Sequence, residues 1–290
     1  MTQFGNVLVS IVFDGVAYAM ILFIISVGLS VTMGLMGFVN LAHGAFAMAG
    51  GYATVTLIAG LGLAFPVALV LGAALVGAVS VGFERLLYAR LYQASELDQV
   101  MLSIGLVFMA IAAFTFAYGP APQVLKVPDY MTGQIDLGFR AFPTYRTIMI
   151  GIGFVMIGGL WYGFERTSIG AKIRAAVDNR RMAQAVGINV DRLFMLTFAL
   201  GSALAALGGG LAIEIVGLTP TFAIQYLVLF LIVVAVGGLG SIRGAFVAAL
   251  VLGVIDNAGK YLWPDGGAFF IYAVTIALLL IRPAGLFGRA

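Results

Sequence analysis

Long apolar runs, separated by short polar stretches, repeat along nearly the whole chain. Eight of them, at 8–33, 64–83, 100–118, 147–164, 193–216, 225–236, 245–260 and 269–281, are continuous instead of alternating. The longer ones match the ~20 residues that a helix needs to cross ~30 Å of hydrocarbon. Within lipid, backbone polar groups are satisfied only in helices or closed barrels, and a barrel strand would alternate apolar and polar positions. The pattern therefore predicts an all-α fold, a polytopic helical membrane protein of about eight transmembrane helices forming a single domain over 1–290.

The stretch 34–55 (GLMGFVNLAHGAFAMAGGYATV) departs from this pattern. Asn40, His43 and five glycines interrupt otherwise apolar sequence, which predicts a broken or re-entrant segment near 34–50. Discontinuous helices are tolerated at membrane depth where they line a cavity. His43, the single histidine, has two readings: a hydrogen bond to a neighbouring helix, or a place on a pathway. Small residues at 201, 205 and 209 are spaced for close backbone approach, which lipid-embedded bundles use because hydrophobic attraction between their helices is weak.

Two longer polar segments stand outside the runs. Residues 119–146 carry four prolines and predict an irregular external loop with a small hairpin. Residues 165–192 (ERTSIGAKIRAAVDNRRMAQAVGINVDR) hold six of the fifteen basic residues. Helical periodicity there groups Ile169, Ile173 and Val177 on one face, with Lys172, Arg174, Arg180 and Arg181 on the solvated side. If this segment is cytoplasmic, strict alternation places eleven basic residues inside, among them Arg289, and leaves Lys126, Arg140, Arg146 and Lys260 outside. That asymmetry puts the C-terminus in the cytoplasm and the N-terminus on the opposite side.

Composition narrows the function. At 62% hydrophobic and 9% charged, with mean hydropathy +1.12, a soluble reading fails. The net charge of +3 is explained by topology, with no aromatic platform for nucleic acid beside it. The absence of cysteine removes disulfide and thiolate chemistry, and one histidine supports no metal cluster. The N-terminus lacks the basic region of a cleavable signal, so the first run is expected to be retained as a span. No G-x-x-x-x-G-K-[ST] loop is present, so an ATP-driven role requires a separate ATPase. The turn Gly237, Gly238, Leu239, Gly240 lacks the strand-before, helix-after context of a dinucleotide fingerprint. Asp14, Glu214, Asp256 and Lys260 fall toward span ends, which gives ion coupling little support. A carrier, a channel or a translocation subunit remains, and not an enzyme.

Four stretches, GFVNLAHGAFAMAGGY (37–52), RAAVDNRRMAQAVGINVDRLFMLTFALGSALAALGG (174–209), VAVGGLGSIRGAFVAALVLGVI (234–255) and RPAGLFG (282–288), together resemble the branched-chain amino-acid permease family of ABC importers, in its LivH-type branch. The resemblance spans nearly the whole chain in the family's order. It implies an inner-membrane permease in bacteria that pairs with a second homologous permease subunit or a second copy. The other implied partners are two cytoplasmic ABC ATPases, where ATP-Mg would bind, and a periplasmic substrate-binding protein. No cofactor is expected on this chain. In such importers a short cytoplasmic helix docks into the ATPase, and the matching segment is 169–188, with Ala175, Ala176 and Gly187 at the places where the family's loop turns. For the pathway the resemblance favours Asn40, His43, Gly44 and Gly50 from the broken segment and Gly237, Gly238 and Gly240 from the later turn, a glycine-lined route suited to an aliphatic cargo. Relatives that carry urea or short amides share these features, and an ion-coupled carrier or channel is the reading from another class.

Overall fold

The computed structural model describes residues 3–38, 40–92, 94–125, 127–136 and 141–288. Their long helices are α1 (Gln3–Met36), α2 (His43–Leu61), α3 (Phe65–Leu86), α4 (Glu96–Tyr118), α5 (Thr144–Arg166), α8 (Val190–Val216) and α11 (Ile242–Leu262). These seven are long and apolar enough to cross a membrane. Shorter helices are α6 (Ser168–Asp178), α7 (Arg180–Ala185), α9 (Phe222–Gln225), α10 (Leu227–Gly237) and α12 (Phe269–Ile281). The apolar stretch Phe222–Gly237 and α12 bring the apolar helical segments to nine. The predicted hairpin is present, as β1 (Gln134–Asp136) paired antiparallel with β2 (Ala141–Pro143).

The ends of these helices are set by local chemistry. Ser95 accepts from the amide of Asp98 to start α4, and Asn189 accepts from that of Arg192 to start α8, each satisfying an otherwise orphaned donor. Gly62 closes α2 in the left-handed conformation that other residues resist. The discontinuity predicted over 34–50 is narrower than expected. It is confined to 37–42, and α2 then runs unbroken through Gly44, Gly50 and Gly51 as a span of 19 residues, not a half-helix. A helix can carry these glycines because neighbours press on them, so no break is needed to account for their presence.

Helices α1 and α8 form the centre of the bundle, with α11 against α1, and α2 and α3 against α8. The contacts are glycine-mediated. A Cβ at Gly201 would lie 2.9 Å from the Gly28 carbonyl oxygen, and one at Gly209 only 1.8 Å from that of Ala47. The predicted 201–205–209 stripe thus serves two partners, α1 at its first glycine and α2 at its last. Gly253 of α11 closes on Ala19 of α1 in the same way. These approaches let dispersion replace the hydrophobic force that lipid does not supply.

Candidate functional site

The end of α1, just before the break, lies against the turn that follows α10. Gly34 and Gly240 meet backbone to backbone, and the Gly240 amide donates to the Ser30 carbonyl at 3.2 Å. Gly238 and Gly240 both have positive φ. The terminal segment packs on the same turn, where the amides of Leu286 and Phe287 donate to the carbonyls of Val236 and Gly237 at 2.7 and 3.2 Å. They satisfy acceptors that the end of α10 would otherwise leave open. Two of the four stretches that carried the family resemblance, 234–255 and 282–288, therefore meet the end of α1 here.

The pathway residues predicted from sequence are close-packed, apart from Gly240, which touches Gly34 but is otherwise exposed. His43 is fully buried, and its Nε2 donates to the Ile25 carbonyl of α1 at 2.9 Å. Asn40 accepts through Oδ1 from the Ala42 amide at 3.1 Å and from the Tyr88 hydroxyl at 3.0 Å. Gly44 is pressed on Ala223, Gly50 on Ala206, and Gly237 on Gly244. Several buried polar atoms in this region have no hydrogen-bond partner among the described residues: Asn40 Nδ2, His43 Nδ1, the hydroxyls of Ser26 and Ser30 on α1, and that of Tyr52 on α2. Buried polar groups are nearly always paired, so a concentration of unpaired ones on two adjoining helices is unusual.

The segment 165–192 folds as α6 and α7. Thr167 caps the first, accepting from the Gly170 amide at 3.2 Å, and Asn179 caps the second, accepting from Met182 at 3.0 Å. Gly187, with φ of +85°, turns the chain into α8, as expected. Ala175 and Ala176, by contrast, lie inside α6 and not at a turn, because the helix continues to Asp178. The single apolar face predicted for α6 is also divided. Ile173 is buried with Ala176, Ala183, Val190, Leu193 and Phe194, while Ile169 and Val177 point outward together with Met182 and Val186. Arg174 donates to the Phe164 carbonyl at the end of α5. Arg180 pairs with Asp191 at 2.8 Å and sits over the Phe194 ring. Lys172 and Arg181 are exposed.

The comparisons with known proteins bear on this arrangement. Residues 11–279 match the family described as branched-chain amino acid transport system / permease component. The chain belongs to that permease family. It is 27% identical over 292 residues to the high-affinity branched-chain amino acid transport system permease protein LivH of Escherichia coli K12, covering 96% of this chain and 94% of that one. It is likewise 27% identical over 280 residues to BraD of Pseudomonas aeruginosa, covering 92% and 91%. Among solved structures it is similar in fold to a chain of PsaBC from Streptococcus pneumoniae in complex with Fab, with a TM-score of 0.50 at 18% identity over 92% of this chain and 89% of that one.

In this permease the 165–192 segment and the break are joined by side chains that sequence reasoning passed over. Met36, the last residue of α1, packs on the cluster beneath α6 and α7. Phe194 of that cluster meets Tyr92 edge-on at 5.9 Å, Tyr92 meets Phe38 at 6.1 Å, and Phe38 meets Tyr88 at 5.1 Å. Tyr88 then reaches Asn40 through its hydroxyl. Tyr92 donates to Glu84 at 2.5 Å, and burial together with that bond pushes its hydroxyl pKa up, so it stays a donor through neutral pH. The only sequence signal was the aromatic spacing in ERLLYARLYQ, which reads equally well as an amphipathic connector.

Proposed function

We propose that this multi-pass chain is the translocation subunit of an ATP-binding-cassette importer for branched-chain or other hydrophobic amino acids in the bacterial inner membrane. It pairs with a second homologous permease or a second copy, is driven by two ABC ATPases that hold ATP-Mg, and receives cargo from a periplasmic binding protein. The observation that carries this reading is the segment 165–192. Its outer apolar side chains Ile169, Val177, Met182 and Val186 face away from the bundle, while its inner face rests on Met36 and Phe194 beside the break. A helix pair built this way receives force from a partner and passes it to the break. The names of LivH and BraD supply the cargo class.

The pathway is assigned to Asn40, His43, Gly44 and Gly50 together with Gly237, Gly238 and Gly240. The unpaired polar atoms around Asn40 and His43 support this, since water or cargo entering between α1 and α2 would satisfy them. The ATPase contact is assigned to Ile169, Lys172, Arg174, Ala175, Ala176, Arg180, Arg181 and Gly187, with Lys172 and Arg181 the most available charges and Arg174 and Arg180 holding the segment in place. For orientation, Arg85, Arg90, Arg180 and Arg192 line one cavity of about 710 Å³, and Arg243 lies 3.8 Å from Glu165, so these basic residues share the face of α6 and α7. Placing that face in the cytoplasm follows the preference of basic loops. Lys126, Arg140 and Arg289 lie outside the described residues. Eight crossings would return both termini to one side, so the proposed orientation, N-terminus periplasmic and C-terminus cytoplasmic, counts the two shorter apolar segments with the seven long helices as nine crossings.

The test is uptake of radiolabelled leucine into proteoliposomes holding the complete assembly with binding protein outside and ATP inside. Accumulation is expected only with ATP, and unlabelled urea or acetamide does not compete. Uptake driven by a proton or sodium gradient without the ATPases overturns the importer reading, and competition by urea overturns the cargo.

A further inference from the structure

On the face opposite α6 and α7, a cavity of about 420 Å³ opens where α1, α5, α8, α10 and α11 come together. Four charged side chains line it: Asp14 of α1, Arg146 of α5, and Asp256 and Lys260 of α11. In sequence they sit near separate span ends and look unrelated, Asp14 and Arg146 being 132 residues apart. Arg146 donates one N–H to Asp14, out of the five a guanidinium carries. Lys260 reaches Asp256 at 2.6 Å and lies over the Tyr18 ring at 5.6 Å. Asp256 is 96% buried, whereas Lys260 is about half exposed and Asp14 and Arg146 about one third exposed. Ionisable groups within a membrane bundle are costly and mark functional sites by default.

A purely structural reading accounts for part of this. The Asp14–Arg146 pair joins α1 to α5, but Asp256 and Lys260 are one turn apart on the same helix, and their ion pair joins no second element, although Lys260 also lies over the Tyr18 ring of α1. The Asn257 amide, donating to the Ile11 carbonyl at 2.8 Å, already fastens α11 to α1. A carboxylate so deeply buried beside a half-exposed lysine costs desolvation that a clamp does not require. The lining sums to two negative and two positive charges, so an anion or a cation alone would leave the opposite pole unmatched. A zwitterion matches both. The remaining wall is mixed: Ala17, Ile215, Val216 and Leu229 supply an aliphatic patch beside the polar or aromatic Tyr18, Gln225, Tyr226 and Asn257.

We propose that this cavity is a weak recognition site for the α-ammonium and α-carboxylate groups of an aliphatic amino acid, with Arg146 taking the carboxylate, Asp14 and Asp256 taking the ammonium, and the aliphatic patch facing the side chain. This deepens the cargo reading of the preceding section and rests on it. It gives the permease its own check on the headgroup at the face where cargo arrives, separate from whatever the binding protein selects.

The test uses the purified permease–ATPase complex in lipid nanodiscs, without binding protein, and saturation-transfer NMR with three probes. These are leucine, 4-methylpentanoate, which lacks the ammonium, and 3-methylbutylamine, which lacks the carboxylate. Leucine should bind saturably, and each analogue at least tenfold more weakly. Arg146→Gln and Asp14→Asn should each weaken leucine binding at least tenfold while the complex still elutes as one species. Equal binding of the three compounds to the wild type, no saturable leucine binding, or unchanged affinity in both variants overturns the site. Should a variant fail to assemble, the analogue comparison on the wild type still decides. ATP-driven leucine uptake by the wild-type assembly separates the two levels. If uptake is intact but headgroup selectivity is absent, only the site falls, whereas absent uptake removes the cargo reading itself.

Discussion

Gly50 shows how little room the centre of the bundle leaves. A Cβ there would lie 2.2 Å from both the Cα and the carbonyl oxygen of Ala206, backbone atoms of α8 that cannot move aside alone. Gly50→Val should therefore cost at least about 1–3 kcal/mol through overpacking. Gly82→Val, where a built Cβ meets nothing within 4 Å, should stay near wild type. The thermal unfolding midpoints of the two variants in detergent check this, and equal midpoints would contradict it. At this scale the sequence was partly legible. The glycine spacing announced close contacts, and His43 does make the interhelical hydrogen bond that was one of its two readings. The meeting of Asp14 with Arg146 was not legible, because nothing in a one-dimensional pattern records which helix ends share a membrane face.

At the scale of elements, hydrophobic runs located every long helix except α2 to within a few residues, since lipid forces each to satisfy its own backbone, whereas the polar and glycine interruptions at 34–50 hid α2 as a broken segment. Periodicity was less reliable on α6. It grouped Ile169, Ile173 and Val177 on one stripe, yet only Ile173 faces inward. A helix with the bundle on one side and a partner site on the other carries two apolar faces, and periodicity alone merges them. The division has a measurable consequence. Ile173→Ala, by removing buried methyl groups, should destabilise the packing of α6 by about 2–4 kcal/mol, whereas Ile169→Ala should change it by no more than about 0.5 kcal/mol. Hydrogen exchange of the α6 amides reads the difference, and equal protection in the two variants would show that the faces are misassigned.

For the whole molecule, segments far apart in sequence gather at one end of the bundle. The end of α1, the turn after α10 and the terminal RPAGLFG share backbone contacts, and α6 and α7 rest beside them through Met36. The family resemblance marked the turn after α10, the terminal RPAGLFG and much of the 165–192 segment, but not the end of α1 that they meet. Only the fold shows that the 165–192 segment touches the break through Met36, Phe194, Tyr92 and Phe38, in a short chain of packed side chains with two ends. Under the proposed function, movement imposed on the outer face of α6 and α7 reaches the region where polar atoms of α1, the break and α2 lie buried and unpaired. The most direct measurement is ATP hydrolysis by the complete reconstituted assembly carrying Ile169→Asp and Met182→Asp, two exposed positions whose change spares the inner cluster. Binding-protein-stimulated hydrolysis should fall at least tenfold while the unfolding midpoint of the permease stays at the wild-type value; hydrolysis at the wild-type rate in that double variant would contradict the account.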